Sequence, residues 1–304
     1  MGEELEAAEK QEGDESKLSF GLHLVELRKR IFIGIFAIVV GFAACFNYSE
    51  YIFRWLTMPL RSNIVLKTIK PYIFMVPKDG NVSDLIFLGP AEAFWAHMKI
   101  ALISGIVLAM PVLLWQLWKF ISPGLHAKEK HFTIPFVFVT SMLFFIGTSF
   151  CFFIVLPFAL KFLLNFKTAS LVPMISVEKY IDFCLKFILA FGVVFELPVI
   201  IVFLTRSGLV GIDTLSKNRK YAVLMAFVAA ALLTPTPDAF NQTLMAVPII
   251  VLYEAGLIAS HIFARRKKKK QDAEDAEDRD GPAVTSEDLI DDNDIDSSSE
   301  DTKS

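Results

Sequence analysis

Uncharged apolar blocks alternate with short charged stretches along this chain. Residues 31–46 contain no Asp, Glu, Lys or Arg, nor do residues 100–118, nor the 28 residues of 133–160. Runs of about 18 or more such residues read as membrane helices. Extending the pattern to the rest of the chain predicts six crossings, at about 31–48, 100–118, 135–160, 183–204, 221–233 and 239–263. The fifth is short. "YAVLMAFVAAALL" spans roughly 20 Å as a helix, against a hydrocarbon core of ~30 Å. It meets "TPTPD", a turn with two prolines and no basic residue, and the next apolar run follows at once. A short hairpin is the natural reading, with a thinned bilayer or shielded ends. A re-entrant segment is the alternative. The hairpin is favoured because the loop charges then alternate in sign of bias from side to side. No internal repeat stands out, which weakens an inverted-repeat transporter.

Charge sets the direction. Lys and Arg number five before the first crossing, three in 119–131, four in 205–220 and six in 261–270. The opposite loops hold five in 47–98, three in 157–180 and none in 234–240. The positive-inside rule then puts both termini in the cytoplasm. "RRKKKK", at 265–270, reads as a strong stop at that surface and a contact for anionic lipid. Residues 271–304 carry 14 acidic and 2 basic residues, and are poor in apolar ones, so a disordered tail is expected. Residues 1–18 read as a flexible acidic arm, 19–263 as the membrane domain, and 264–304 as the basic stop and tail. The long outer loop, about 47–98, has Trp55, Leu60, Phe74 and Phe94 among Pro59, Pro71, Pro77 and Pro90. It predicts short helices lying on the outer surface as a cap.

Composition adds little beyond this. Hydrophobic residues make up 54% of the chain, rich for a soluble protein. Cys45, Cys151 and Cys184 lie in apolar runs with no C-x-x-C pair, so they read as buried thiols. No cleavable signal peptide is evident.

The candidate chemistry is carboxylate chemistry. Glu26 sits in "LHLVELRKRI" among Arg28, Lys29 and Arg30. It is four residues before Arg30, the favourable order for a helical ion pair. The inner loop "WKFISPGLHAKEKH" holds a second carboxylate, Glu129, on the same face. Two acids at one membrane surface can receive guanidinium groups, because arginine pairs with carboxylate in a planar two-bond fork. Glu196 lies 13 residues into the fourth apolar run with no charged neighbour within nine residues. A charge that deep costs roughly 2.5–3.5 kcal/mol on insertion scales. It should therefore face a wet cavity or a partner, or else make a structural hydrogen bond to a neighbouring helix. Pro198 should kink that helix and free a carbonyl. Glu254 and Tyr253 read as packing near the inner interface, and His97 and His261 as interface residues at helix ends. His126 and His131 bracket Glu129, but not at the H-E-x-x-H spacing of a zinc helix. No Walker motif, nucleophile elbow or dinucleotide fingerprint is present.

Four stretches, taken in order, resemble the TatC family, the signal-peptide receptor of the twin-arginine protein translocase. "HLVELRKR" is similar to the family's N-terminal motif and "QLWKFISPGLHAKEK" to its first inner loop. "FGVVFELPV" is similar to its fourth-helix motif and "LLTPTPD…NQTLMAVP" to its last hairpin. The resemblance covers about 19–263 and implies an all-α polytopic membrane protein, a concave six-helix bundle. It implies that Glu26 and Glu129 bind the twin arginines of a substrate's signal peptide. Arg28 belongs to the same motif, and Phe120, Ser122, Pro123 and Leu125 shape that surface. It implies that Pro59 in the outer loop is needed for function, and that Asp238 and Gln242 are polar positions at the outer end of the hairpin. Glu196 would line the concave face and meet partner helices or the inserted signal peptide. "TPTPD" has one residue more than the family's shorter turn.

The implied protein is a non-enzymatic receptor and core subunit of a folded-protein export machine in the bacterial cytoplasmic (inner) membrane. Its implied partners are single-span TatA-type and TatB-type subunits, further copies of itself, cargo signal peptides and membrane lipid. Nucleic acid and cofactors are not among them. The implied energy source is the proton gradient. The competing readings are a proton-coupled transporter of a small solute using Glu196, and an intramembrane enzyme, for which no paired nucleophile and base is offered.

Overall fold

The structure, a computed structural model, describes the backbone of residues 2–66, 73–77, 85–121, 133–165, 174–234 and 238–279, with side chains placed in 25–60, 85–121, 135–165, 174–234 and 238–266. Among the described residues it is helical apart from one two-stranded ribbon and an isolated bridge between Ile86 and Ser176. In chain order the elements are α1 (Gly2–Asn47), α2 (Ser49–Leu56), α3 (Met58–Arg61), β1 (Ser62–Leu66), β2 (Ile73–Pro77) and α4 (Glu92–Ile121). Then come α5 (Thr133–Phe150), a π-helical turn (Cys151–Val155), α6 (Leu156–Asn165), α7 (Val177–Val194) and α8 (Leu197–Arg206). The last are α9 (Ile212–Lys217), α10 (Arg219–Leu233) and α11 (Ala239–Arg279).

Five stretches among the described residues are long and apolar enough to cross a membrane: Val25–Asn47, Glu92–Ile121, Pro135–Asn165, Val177–Arg206 and Ala239–Arg266. The 15-residue α10 is shorter than that. It lies antiparallel against α11, where Gln242 Nε2 donates to the carbonyl of Phe227 at 3.1 Å.

The observed helices run past the expected limits. Backbone helix begins at Gly2, so α1 reaches back through the segment expected to be a flexible arm. Glu, Ala, Lys and Gln dominate there, and all are good helix formers. Helix α11 continues to Arg279, past the expected end near 263, through residues of the same kind. The cap also differs. Beside α2 and α3 it contains an antiparallel ribbon, β1 on β2, with Ile64 opposite Met75 and Val65 opposite Phe74. β-Branched and aromatic residues favour that conformation.

Two prolines shape the membrane helices. Pro157 has no N–H to give, and its ring crowds the carbonyl four residues earlier. The π turn at Cys151–Val155 widens the helix where that carbonyl stands. Pro198 does more. The helix stops at Val194, turns through Phe195 and Glu196, and resumes as α8 with proline in its first turn. The kink expected from the sequence is thus a two-residue interruption within one membrane-spanning stretch.

Helices α1 and α4 pack closely because both carry glycine at the crossing. A Cβ on Gly41 would stand 2.6 Å from the carbonyl oxygen of Gly105, and one on Gly105 would stand 2.6 Å from the amide nitrogen of Phe42. The core lies on the other side of α4, where Ile100, Leu156, Ile181, Phe187, Phe191 and Met245 are buried together. Tyr180 ties α7 to the cap, its hydroxyl donating to the carbonyl of Leu56 at 2.7 Å.

Helix α11 serves as a ruler of depth. Phe240, near its start, stacks on Phe162 of α6 with ring centroids 3.8 Å apart, one turn before α6 ends. Ser260 accepts from Thr205 at the end of α8 at 3.0 Å. Twenty residues of helix separate those levels, ~30 Å at 1.5 Å per residue, the thickness of a hydrocarbon core.

Candidate functional site

The motif acid Glu26 lies at the end of the first crossing. The Arg30 guanidinium donates to Glu26 Oε1 from one turn below, as the spacing predicts. The pair is unequal in exposure: Arg30 is 10% exposed and Glu26 36%. Arg30 Nε is buried without a hydrogen-bond partner, so the arginine is held inward while its carboxylate faces out. A carboxylate has room for about four hydrogen bonds, so one ion pair leaves Glu26 able to receive another donor. Arg28 is exposed and lies over the ring of Phe32, 5.6 Å from its centroid.

The glycine crossing fixes what stands beside Glu26. Helices α1 and α4 are antiparallel, with Gly41 against Gly105 and Gly34 against Leu113. Counting back along both helices brings Glu26 level with the Phe120 turn at the end of α4. Phe120 is half-buried. The preceding turn is fixed by Trp118, whose indole packs edge-on against Phe136 of α5 at 4.3 Å and Phe203 of α8 at 4.9 Å. Three crossings thus meet at the end of α4. Ser122, Pro123, Leu125, His126, Glu129 and His131 lie outside the described residues, so the pairing of Glu129 with Glu26 does as well.

Glu196 occupies the break between α7 and α8. Only 8% of it is exposed, and its Oε1 is buried without a hydrogen-bond partner. Its carbonyl accepts from Val199 and Ile200 at 3.0 Å each, while its side chain caps nothing. Pro198 lies directly against Gly256 of α11. Glu196 stands nine residues before Thr205, which meets Ser260, so it lies roughly 13 Å from that level, near the middle of the bundle. Gly256 is four residues before Ser260 on α11. At a similar depth Arg219 pairs with Glu254 at 3.3 Å, and the Tyr253 hydroxyl donates to the carbonyl of Leu215 at 2.9 Å. Glu254 and Tyr253 therefore have specific partners, beyond the general packing expected of them.

At the opposite end the remaining candidates have structural work. Pro59 is buried in the cap. Asp238 is the N-cap of α11, accepting from the Asn241 amide at 2.7 Å and from Asn241 Nδ2 at 2.9 Å. Gln242 bridges α10 and α11 as described above.

Sequence reasoning missed a polar junction at this end. Lys99 Nζ donates to Glu178 Oε1 and to Asp182 Oδ1, each at 2.8 Å, joining α4 to α7. Glu92 is buried and accepts from Ser176 Oγ, the Glu178 amide at 2.9 Å and the Leu88 amide. It thereby caps the start of α7 from another helix. Ile86 completes the junction by bonding both flanks of Ser176. The available signal was the opposite charges at the edges of two apolar runs, because ionisable residues in membrane helices pair with one another.

The family model described as "Sec-independent protein translocase protein (TatC)" matches residues 22–248. The chain belongs to the TatC family. A relative from Desulforapulum autotrophicum is 41% identical over 263 residues, covering 86% of this chain and 91% of its own. One from Aquifex aeolicus is 38% identical over 253 residues, covering 83% and 98%. Both carry the name Sec-independent protein translocase protein TatC. A solved structure described as "Crystal Structure of Twin Arginine Translocase Receptor- TatC" superposes with a TM-score of 0.65 at 36% identity, covering 79% of this chain and 98% of that one. A second, of the receptor in the detergent DDM, gives a TM-score of 0.66 at 38% identity. These relationships support the TatC reading and give no support to a solute transporter.

Proposed function

We propose that this multi-pass membrane protein is the core receptor subunit of a twin-arginine translocase, and that Glu26 is half of its binding site for signal peptides. One observation carries the site: a half-exposed carboxylate, held on a helix at the end of a crossing and level with Phe120, in a chain of the TatC family. The second carboxylate of the proposal is Glu129, in the loop that joins α4 to α5. Leu125 and Phe120 give that loop apolar edges for the peptide, and Arg28 and Lys29 form a basic rim.

In this reading the Glu26 end faces the cytoplasm, α10 and α11 complete six crossings, and the membrane is the bacterial inner membrane. The arginines of the cargo's signal peptide pair with the two acids. The peptide's apolar segment then moves along the helices towards Glu196, whose buried oxygen can accept a hydrogen bond. Single-span TatA-type and TatB-type subunits assemble around the bundle, and the proton gradient drives transport. The chain acts by binding and assembly and performs no catalysis.

The test is co-purification with a signal peptide bearing Arg-Arg or Lys-Lys. The full-length protein should retain the first and lose the second. Glu26→Ala and Glu129→Ala should each abolish retention while the protein still inserts. Normal retention by both variants would end the receptor assignment.

A further inference from the structure

The ruler of α11 reveals a step at the Glu26 end. Helix α8 reaches the level of Ser260 before it ends at Arg206. Helix α10 starts at Arg219, whose guanidinium pairs with Glu254, six residues earlier on α11. The shortfall is ~9 Å. The connection between them drops to the same depth, because the Leu215 carbonyl of α9 is fixed by Tyr253. The loop between the fourth apolar stretch and α10 therefore dips below the surface set by α8.

The dip is polar and cationic. Lys217, Asn218, Arg219 and Lys220 are all exposed, and Arg219 remains 53% exposed despite its ion pair. Lys220 Nζ leans over the ring of Tyr221, 5.1 Å from its centroid. Below them α10 turns an apolar face outward, with Leu224 60% and Met225 59% exposed. Cations thus sit directly above a lipid-facing helix, at a depth where acyl chains would otherwise lie. The acids nearby are Asp213 on α9 and Glu254 on α11, and Glu254 is spoken for by Arg219. Leaving these cations against hydrocarbon would cost several kcal/mol, so a compensating group must reach them. Within a bilayer, the anionic group that can move laterally into such a recess and sink with it is a lipid phosphate.

We propose that Lys217, Arg219 and Lys220 form a recessed ledge that binds the phosphate headgroup of an anionic phospholipid, drawn inward from the leaflet at the Glu26 end. The lipid's chains lie along the exposed face of α10 and fill the width that the short helix leaves open. This site is distinct from the basic run at 265–270, which starts at the last two residues of the final crossing. It holds whichever side of the membrane the Glu26 end faces.

The full-length protein in mild detergent would be equilibrated with equal amounts of phosphatidylglycerol and phosphatidylcholine, and retained lipid counted by native mass spectrometry. A surface cation contributes about 1 kcal/mol, or roughly fivefold, towards anionic lipid. The wild type should prefer phosphatidylglycerol at least about fivefold on that scale. Lys217→Gln with Lys220→Gln leaves the Arg219–Glu254 pair intact and should lose most of the preference. Lys267→Gln with Lys268→Gln should lower it by less than the first pair does. Absence of preference in the wild type would overturn the proposal. So would full preference in the first double variant, or loss in the second alone. Disulfide-linked dimers through Asn218→Cys in bilayers of either lipid would assign the ledge to a second copy and overturn it too.

Discussion

Gly41 and Gly105 meet backbone to backbone, with no space for a side chain on either. Among the residues of α1 with described side chains, most of the large apolar ones, including Phe32, Phe36 and Val39, face away from the protein, so this crossing is the main attachment of the helix that bears Glu26. Gly105→Val should separate the two helices and destabilise the fold by about 1–3 kcal/mol, the usual cost of overpacking. It should also shift Glu26 against Phe120. The expected result is a lower unfolding temperature in detergent together with weaker Arg-Arg peptide retention. Gly89→Val, at a position with open space around it, should change neither.

The Glu26–Arg30 pair competes with any incoming guanidinium. Helical pairs of this spacing are worth about 0.3–0.5 kcal/mol when exposed, a lower bound for a pair whose arginine is mostly buried. Arg30→Gln should therefore tighten Arg-Arg peptide binding by about twofold or more and leave the discrimination against Lys-Lys in place. Titration with a fluorescent peptide measures both. Loss of binding would mean that Arg30 positions the site and does not compete with its ligand.

Lys99 neutralises two carboxylates from another helix at 2.8 Å each. Lys99→Met should leave Glu178 and Asp182 facing each other without a cation. The groups are about one-third exposed, so a cost of about 1–3 kcal/mol is expected, below that of a fully buried pair. Adding Glu178→Gln and Asp182→Asn should restore at least half of the lost stability, read as thermal unfolding in the same detergent. A purely steric role for Lys99 predicts no such recovery.

Glu196 has a buried oxygen with no partner and lies far from Glu26 along the bundle. Glu196→Ala should leave signal-peptide retention at the Glu26 end within about twofold of wild type, a change under ~0.4 kcal/mol. Export of folded cargo should fall sharply. Failure at the binding step would show that the two sites act as one.

The membrane helices were legible because lipid leaves one strong rule, long uncharged runs, and α4 to α8 follow it. Glu26 was legible from its place against that run, and its ion pair from the spacing to Arg30. Three features were hidden. The Gly41–Gly105 contact pairs glycines on different helices, and no Gly-x-x-x-Gly repeat along either sequence marks it. The break at Glu196 was foreshadowed by Pro198, but its depth depends on how α8 packs on Gly256. The Glu92 cap is a contact between residues 84 and 86 positions apart, and spacing within one helix cannot announce it. The ribbon in the cap escaped notice because prolines suggested short helices there, while β pairing depends on a partner strand that local sequence does not name.

The bridge from Lys99 to Glu178 spans 79 positions in the chain, and this has a consequence for how the protein is made. The lysine leaves the ribosome first. At about 5–20 residues per second it waits several seconds before either acid exists. During that interval its helix carries an unmatched cation at the membrane edge, free to tilt or slip along its axis. Arrival of α7 ends the wait, so the final seating of the second crossing is set by the synthesis of the fourth.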